Sequence, residues 1–175
     1  FVVDSTSQKK WDLIAKRTYY GADLQLTFEN VAGFTTLRAE YIQGSQIGIV
    51  SGASNSATRS LDENATFLLP KDGLYIRKFN GAYFYLVQDI INTNQQVVFK
   101  TDFYDPNTDV AGKAISSKAG LGNSEIKYTT YGIGWTYRYQ SVKYMFYYDI
   151  VKNEKTNVTG FSKDIRDNIF TFRMQ

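Results

Sequence analysis

Ten charged residues recur at alternate positions along extended, polar-sided segments: Arg38, Lys100, Arg138, Lys143 and Arg173 against Asp23, Glu29, Glu40, Asp102 and Asp149. Charges spaced in this way can line an aqueous path and tune which ions cross it. The structural alternative for each basic residue is a cross-strand ion pair with a neighbouring acid. Five positive and five negative charges cancel, so this set alone favours neither anions nor cations. Other chemistry is poorly served. The chain has no Cys and no His, which removes disulfides, thiolate nucleophiles, zinc sites and imidazole relays. Carboxylates, Lys and Tyr remain, yet no spacing singles out a carboxylate pair of the glycosidase kind. Asp105, Asn107 and Asp109 open like a calcium loop, but Val110 stands where Gly is needed and Ser116 where the bidentate Glu belongs. An Asx-Pro turn is the expectation there. Gly132-Ile133-Gly134 is followed by no helix, so it cannot cradle phosphate, and its glycines are expected to leave room on the polar side or to let the strand coil. Asn64 and Asn157 begin glycosylation sequons, which carry meaning only where a host glycosylates them. No catalytic residue, no metal and no cofactor is expected.

The elements that must position these charges are strands. Alternation at period two runs through 19–29, where Tyr20, Ala22, Leu24, Leu26 and Phe28 oppose Asp23, Gln25, Thr27 and Glu29. It recurs in 35–44 (Leu37, Ala39 and Tyr41 against Thr36, Arg38 and Glu40) and in 96–104 (Val97, Phe99, Thr101 and Phe103 against Lys100, Asp102 and Tyr104). The clearest pair is 129–139, with Tyr131, Ile133, Trp135, Tyr137 and Tyr139 on one side, and 142–151, with Val142, Tyr144, Phe146, Tyr148 and Ile150. Gln140 and Ser141 between them predict a tight hairpin. Segment 167–175 sets Phe170, Phe172 and Met174 against Thr171, Arg173 and Gln175. Segment 74–90 reads as a strand with two apolar faces around Tyr83-Phe84-Tyr85-Leu86, so its inner side is not assignable from sequence.

Composition and connections narrow the class. The longest unbroken apolar run, 82–87, is far short of the ~20 residues of a membrane-spanning helix, whereas alternating barrel strands escape any hydropathy window. Lys and Arg exceed Asp and Glu by three (20 against 17), spread along the chain, which argues against a nucleic-acid partner. Phe1 in place of Met, with no leader, reads as a mature chain or a piece of one. The connections alternate between short (30–33, 91–95, 140–141) and long (45–73, 105–127, 152–163), and the long ones are rich in Ser, Asn, Asp, Lys and Gly. Alternating loop lengths, long strands and Tyr near strand ends (Tyr19, Tyr20, Tyr41, Tyr104, Tyr128, Tyr139, Tyr148) fit an outer-membrane barrel better than a soluble carbohydrate-binding β-sandwich.

The run Tyr128-Thr129-Thr130-Tyr131-Gly132-Ile133-Gly134-Trp135-Thr136-Tyr137, followed by Val142-Lys143-Tyr144-Met145-Phe146-Tyr147-Tyr148-Asp149 and Val151-Lys152-Asn153-Glu154, resembles the closing hairpin of phosphate-selective (O and P type) porins of Bacteroidota. So do Lys16-Arg17-Thr18-Tyr19-Tyr20-Gly21-Ala22-Asp23, Phe103-Tyr104-Asp105-Pro106-Asn107-Thr108 and the final stretch from Asp167 to Gln175. The resemblance implies an all-β fold, an antiparallel up-and-down transmembrane β-barrel of about sixteen strands, of which residues 1–175 form the C-terminal half as a single domain. A complete eight-stranded barrel would instead draw a strand from 1–4 or 11–16. The resemblance also implies a bacterial outer-membrane location, long loops on the extracellular side, lipid as a partner, homotrimers, and passive diffusion of small hydrophilic or anionic, phosphate-like solutes. Arg38, Glu40, Lys100, Asp102, Arg138, Lys143, Asp149 and Arg173 are the pore-lining candidates. Any positive constriction would come from Arg77 or Lys78, from loop lysines folded inward, or from the other half of the barrel. A non-channel surface protein is the remaining alternative.

Overall fold

The computed structural model describes residues 17–49, 60, 61, 67, 68, 74–119 and 121–175. Strand-length alternation with two-residue turns favours neighbours in sequence becoming neighbours in space, and the observed order obeys this throughout. Strands β1 (Thr18–Asn30), β2 (Gly33–Ile49), β5 (Leu74–Asp89), β6 (Gln95–Asp105), β7 (Tyr128–Tyr139), β8 (Val142–Asn153) and β9 (Ile169–Met174) form one antiparallel sheet in that order. A separate small hairpin, β3 (Ser60–Leu61) with β4 (Phe67–Leu68), lies in the connection between β2 and β5. The protein is all-β, an up-and-down sheet that does not close: β1 and β9 do not pair. The proposed extra strands at 1–4 and 11–16, and Asn64, lie outside the described residues.

Register fixes the faces. Following paired residues from strand to strand, Leu26, Leu37, Leu86, Phe99, Ile133, Tyr148 and Phe170 form one row across the sheet. Leu24, Ala39, Phe84, Thr101, Tyr131 and Ile150 form the next row on the same face. Segment 74–90 is thereby resolved. Ala82, Phe84 and Leu86 join the apolar face, while Arg77, Phe79, Tyr83, Tyr85, Val87 and Asp89 join the polar one.

Burial runs opposite to that of a soluble domain. Large apolar residues of the apolar face stay open, Leu26 at 49%, Phe99 at 49%, Ile133 at 51% and Phe172 at 54% exposure. Their polar-face neighbours Val98, Thr136, Met145 and Asp149 are buried. No second layer covers the apolar face among the described residues, so a contribution of about 1.5–3 kcal/mol for each large apolar side chain withdrawn from water goes unrealised.

The short turns sit together at one end and are tied to each other. Asn30 Oδ1 accepts the Ala32 N–H (2.8 Å), the Ile91 N–H donates to Ala32 O (2.7 Å), and the Arg138 N–H donates to Asn94 O (2.9 Å). Gly33 (φ 127°), Asn92 (φ 57°) and Gln140 (φ 51°) take the left-handed conformations these turns need.

Three expectations need correction. The strand read at 35–44 continues to Ile49, so the long connection begins later than residue 45; Gln46 and its neighbours are held by the ladder to β5 and by Gln46 Nε2 donating to the Tyr104 hydroxyl (2.8 Å), which a polar, Gly-containing stretch does not advertise. The last strand begins at Ile169 and the connection before it extends past residue 163, because Asn153 satisfies the backbone there, donating to Lys163 O and accepting the Ile165 N–H. Tyr19 and Tyr128 lie on the polar face, paired with Gly44 and Asn153, as does Tyr104, paired with Gly81 on the side its own alternation gives it, so none of the three belongs with the tyrosines of the apolar face.

A Cβ on Gly33 would collide with the Asp89 carbonyl in a conformation other residues avoid. Gly33→Ala is expected to lower the unfolding free energy by about 1–3 kcal/mol in denaturant titrations. Gly122→Ala, where a Cβ would meet open space, should stay within about 0.5 kcal/mol.

Candidate functional site

All eight pore-lining candidates fall on the polar face by register, and the ladder sorts them into rows. Asp23, Glu40, Tyr83 and Asp102 share one row. Gln25, Arg38, Tyr85, Lys100, Gly132 and Asp149 share the next, toward the short turns. Arg138 is paired with Lys143 near the short turns, and Arg173 with Met145. Three acids thus share one row, while Arg38 and Lys100 share the next with Asp149.

Lys100 Nζ donates to Asp149 Oδ2 at 2.8 Å, with side-chain exposures of 17% and 12%. The expected ion pair forms, but it does not join adjacent strands. It spans β7 above Gly132, where a Cβ would run into both side chains. Tyr147 lies over Gly134 in the same way, and Lys100 Nζ sits 5.7 Å from the Tyr147 ring centre. The two glycines therefore clear a track on β7 for side chains from β6 and β8. Arg38, Arg138, Lys143 and Arg173 make no ion pair within 4.0 Å among the described residues.

A second cluster folds a loop onto the same face. Arg77, on the polar side of β5, is buried with Glu125 of the 106–127 connection at 2.6 Å. Glu125 Oε1 also accepts the Ser124 hydroxyl (3.0 Å), its Oε2 accepts Asn107 Nδ2 (2.7 Å), and Arg77 donates to Ser124 O (3.0 Å). Ile115 and Ile126 of this connection are fully buried. Three short 3₁₀ turns at Gly112–Ala114, Ser117–Ala119 and Asn123–Glu125 give the loop its shape. Glu154, just past β8, accepts the Gly112 and Lys127 N–H groups, and Asn157 donates to Lys113 O (2.7 Å), so the following connection is tied to this one. Lys78, the other candidate for a positive constriction, pairs with Asp109 at the surface. Asp105 and Asn107 accept the backbone N–H groups of Asn107 and Asp109 (3.1 and 3.2 Å), the Asx turns expected in place of a cation loop. No cluster of three metal-ligating side chains occurs among the described residues.

No family model, curated protein or solved structure matches the chain. The likeness to phosphate-selective porins accordingly rests on the quoted motifs alone. The arrangement is a polar face carrying charges of both signs. Sequence reading named Arg77 but not its partner Glu125, and missed Tyr83, Tyr85 and Tyr147. Parity from β6 outward through the antiparallel ladder would have placed Tyr83 and Tyr85; nothing local marks Glu125.

Removing one partner of a buried pair strands the other charge, at about 3–5 kcal/mol. Glu125→Ala should release the 106–127 connection, seen as rapid hydrogen exchange at Glu125 and Ile126 and as new protease cleavage there, with the sheet amides still protected. Gly132→Leu should break the Lys100–Asp149 pair by displacement and lower stability by about 1–3 kcal/mol in the same titrations.

Proposed function

We propose that this chain forms part of a β-barrel in a bacterial outer membrane and acts as a passive diffusion channel for small hydrophilic solutes, without catalysis. The inverted burial carries the reading: an uncovered apolar face with Phe99 and Ile133 half exposed, opposite a polar face that buries Asp149, Thr136 and Arg77. In water such a sheet lacks a core. Against hydrocarbon the same face is satisfied, while the charges keep to a water-filled interior.

The free edges support a larger closed sheet. Both faces of β1 and of β9 are exposed over nearly their whole length, and neither strand has an outer partner among the described residues. An unpaired edge is not tolerated in hydrocarbon. In this reading further strands complete the barrel, as the porin likeness implies for a chain of about sixteen strands, with Tyr20, Tyr41 and Tyr139 near the interfaces and the long connections facing outward. Homotrimer formation belongs to the same reading.

Preference for phosphate draws no support from the charges. Lys100 is neutralised by Asp149, and Arg77 by Glu125. That leaves Arg38, which makes no ion pair within 4.0 Å among the described residues, beside the row of Asp23, Glu40 and Asp102.

The intact gene product should require detergent and migrate heat-modifiably on gels; a water-soluble monomer would overturn the reading. Phe99→Arg should cost about 2–4 kcal/mol in folding into lipid vesicles. In planar bilayers, Arg38→Glu should shift the reversal potential toward cations. An absence of conductance would favour a non-channel surface protein.

A further inference from the structure

Tyr83 and Tyr85 stand two residues apart on the polar face of β5, their rings edge to face with centroids 5.5 Å apart. Together with Val87 they floor an open cleft of about 410 Å³ walled by Arg38 and Asp102, within the range of small-molecule sites. The register explains the layout. Arg38 is paired with Tyr85 from the β2 side, and Asp102 with Tyr83 from the β6 side. Neither Arg38 nor Asp102 makes an ion pair among the described residues, so one donor and one acceptor stand ready on opposite sides of two rings.

We infer that this cleft binds a neutral sugar unit, resting the inference on the channel reading above. A pyranose has an apolar C–H face that stacks on an aromatic ring and an equatorial rim of hydroxyls that both donate and accept. Here the rings receive the face, the Arg38 guanidinium donates to rim oxygens, and the Asp102 carboxylate accepts rim hydroxyls. The lining carries one charge of each sign, which gives a free anion no advantage. An α-amino acid fits less well. Arg38 and Asp102 rise from strands flanking β5, paired with Tyr85 and Tyr83 respectively; two inter-strand spacings and a two-residue offset put their backbones ~12 Å apart, whereas the charges of a zwitterion lie close together.

The test uses the full-length protein, in planar bilayers and in detergent, with maltotriose as probe and phosphate and glutamate as comparison solutes. Maltotriose should reduce ion current in a saturable way and bind the detergent-solubilised protein in calorimetry. Tyr83→Ala and Tyr85→Ala should each raise the half-blocking concentration about tenfold, the effect of losing one ring contact. Tyr85→Phe, which keeps the ring, should retain the block, and so should Tyr131→Ala on the outer face. Conductance with no maltotriose block or binding overturns the site and leaves the channel reading standing. Maltotriose binding without conductance upholds the site and overturns the channel reading. Block equal in the two alanine variants and the parent, or stronger by glutamate than by maltotriose, overturns the site as well.

Discussion

Every facial assignment in this protein depends on the register of one antiparallel ladder. Side chains alternate at period two, so a slip of a single residue in any pair would carry an entire strand's apolar set to the opposite face. Six consecutive pairings agree, and rows such as Leu26-Leu37-Leu86-Phe99-Ile133-Tyr148-Phe170 run unbroken across seven strands. Such agreement is hard to maintain without anchors. The tight turns supply them, through the left-handed residues Gly33, Asn92 and Gln140 and through hydrogen bonds from Ile91 to Ala32 and from Arg138 to Asn94 that couple each turn to the next.

Much of this was legible in the order of residues, and unevenly so. The hairpin of β7 and β8 could be read almost to the residue, because Tyr131 to Tyr139 and Val142 to Ile150 alternate cleanly on either side of Gln140-Ser141. Strand β5 could be recognised but not oriented, since Tyr83 and Tyr85 look as apolar as Phe84 and Leu86 until their neighbours Glu40, Asp102 and Lys100 are known. Tyrosine is amphipathic, and parity decides its role. Three of the tyrosines that look like an interfacial belt stand among the charges for that reason.

The polar clusters were the least legible part. Arg77 and Glu125 are 48 residues apart in sequence, and Glu125 lies in a stretch without period, so no local pattern announces their contact. The pair of Lys100 and Asp149 was foreseeable in kind but not in reach. It bridges two strands by crossing a third, which only a residue without a side chain permits. Gly132 and Gly134 could be read as leaving room on the polar side; what the sequence did not name is the groups that fill it, Lys100 and Asp149 at one and Tyr147 at the other.

The ties around Glu154 have a mechanical consequence. Its two carboxylate oxygens hold Gly112 and Lys127, at opposite ends of one long connection, from the start of the other, and Asn157 adds a third attachment at Lys113 and Ile115. The two connections are thereby a single plate hinged on β8, so an insertion engineered into one alters the shape presented by both.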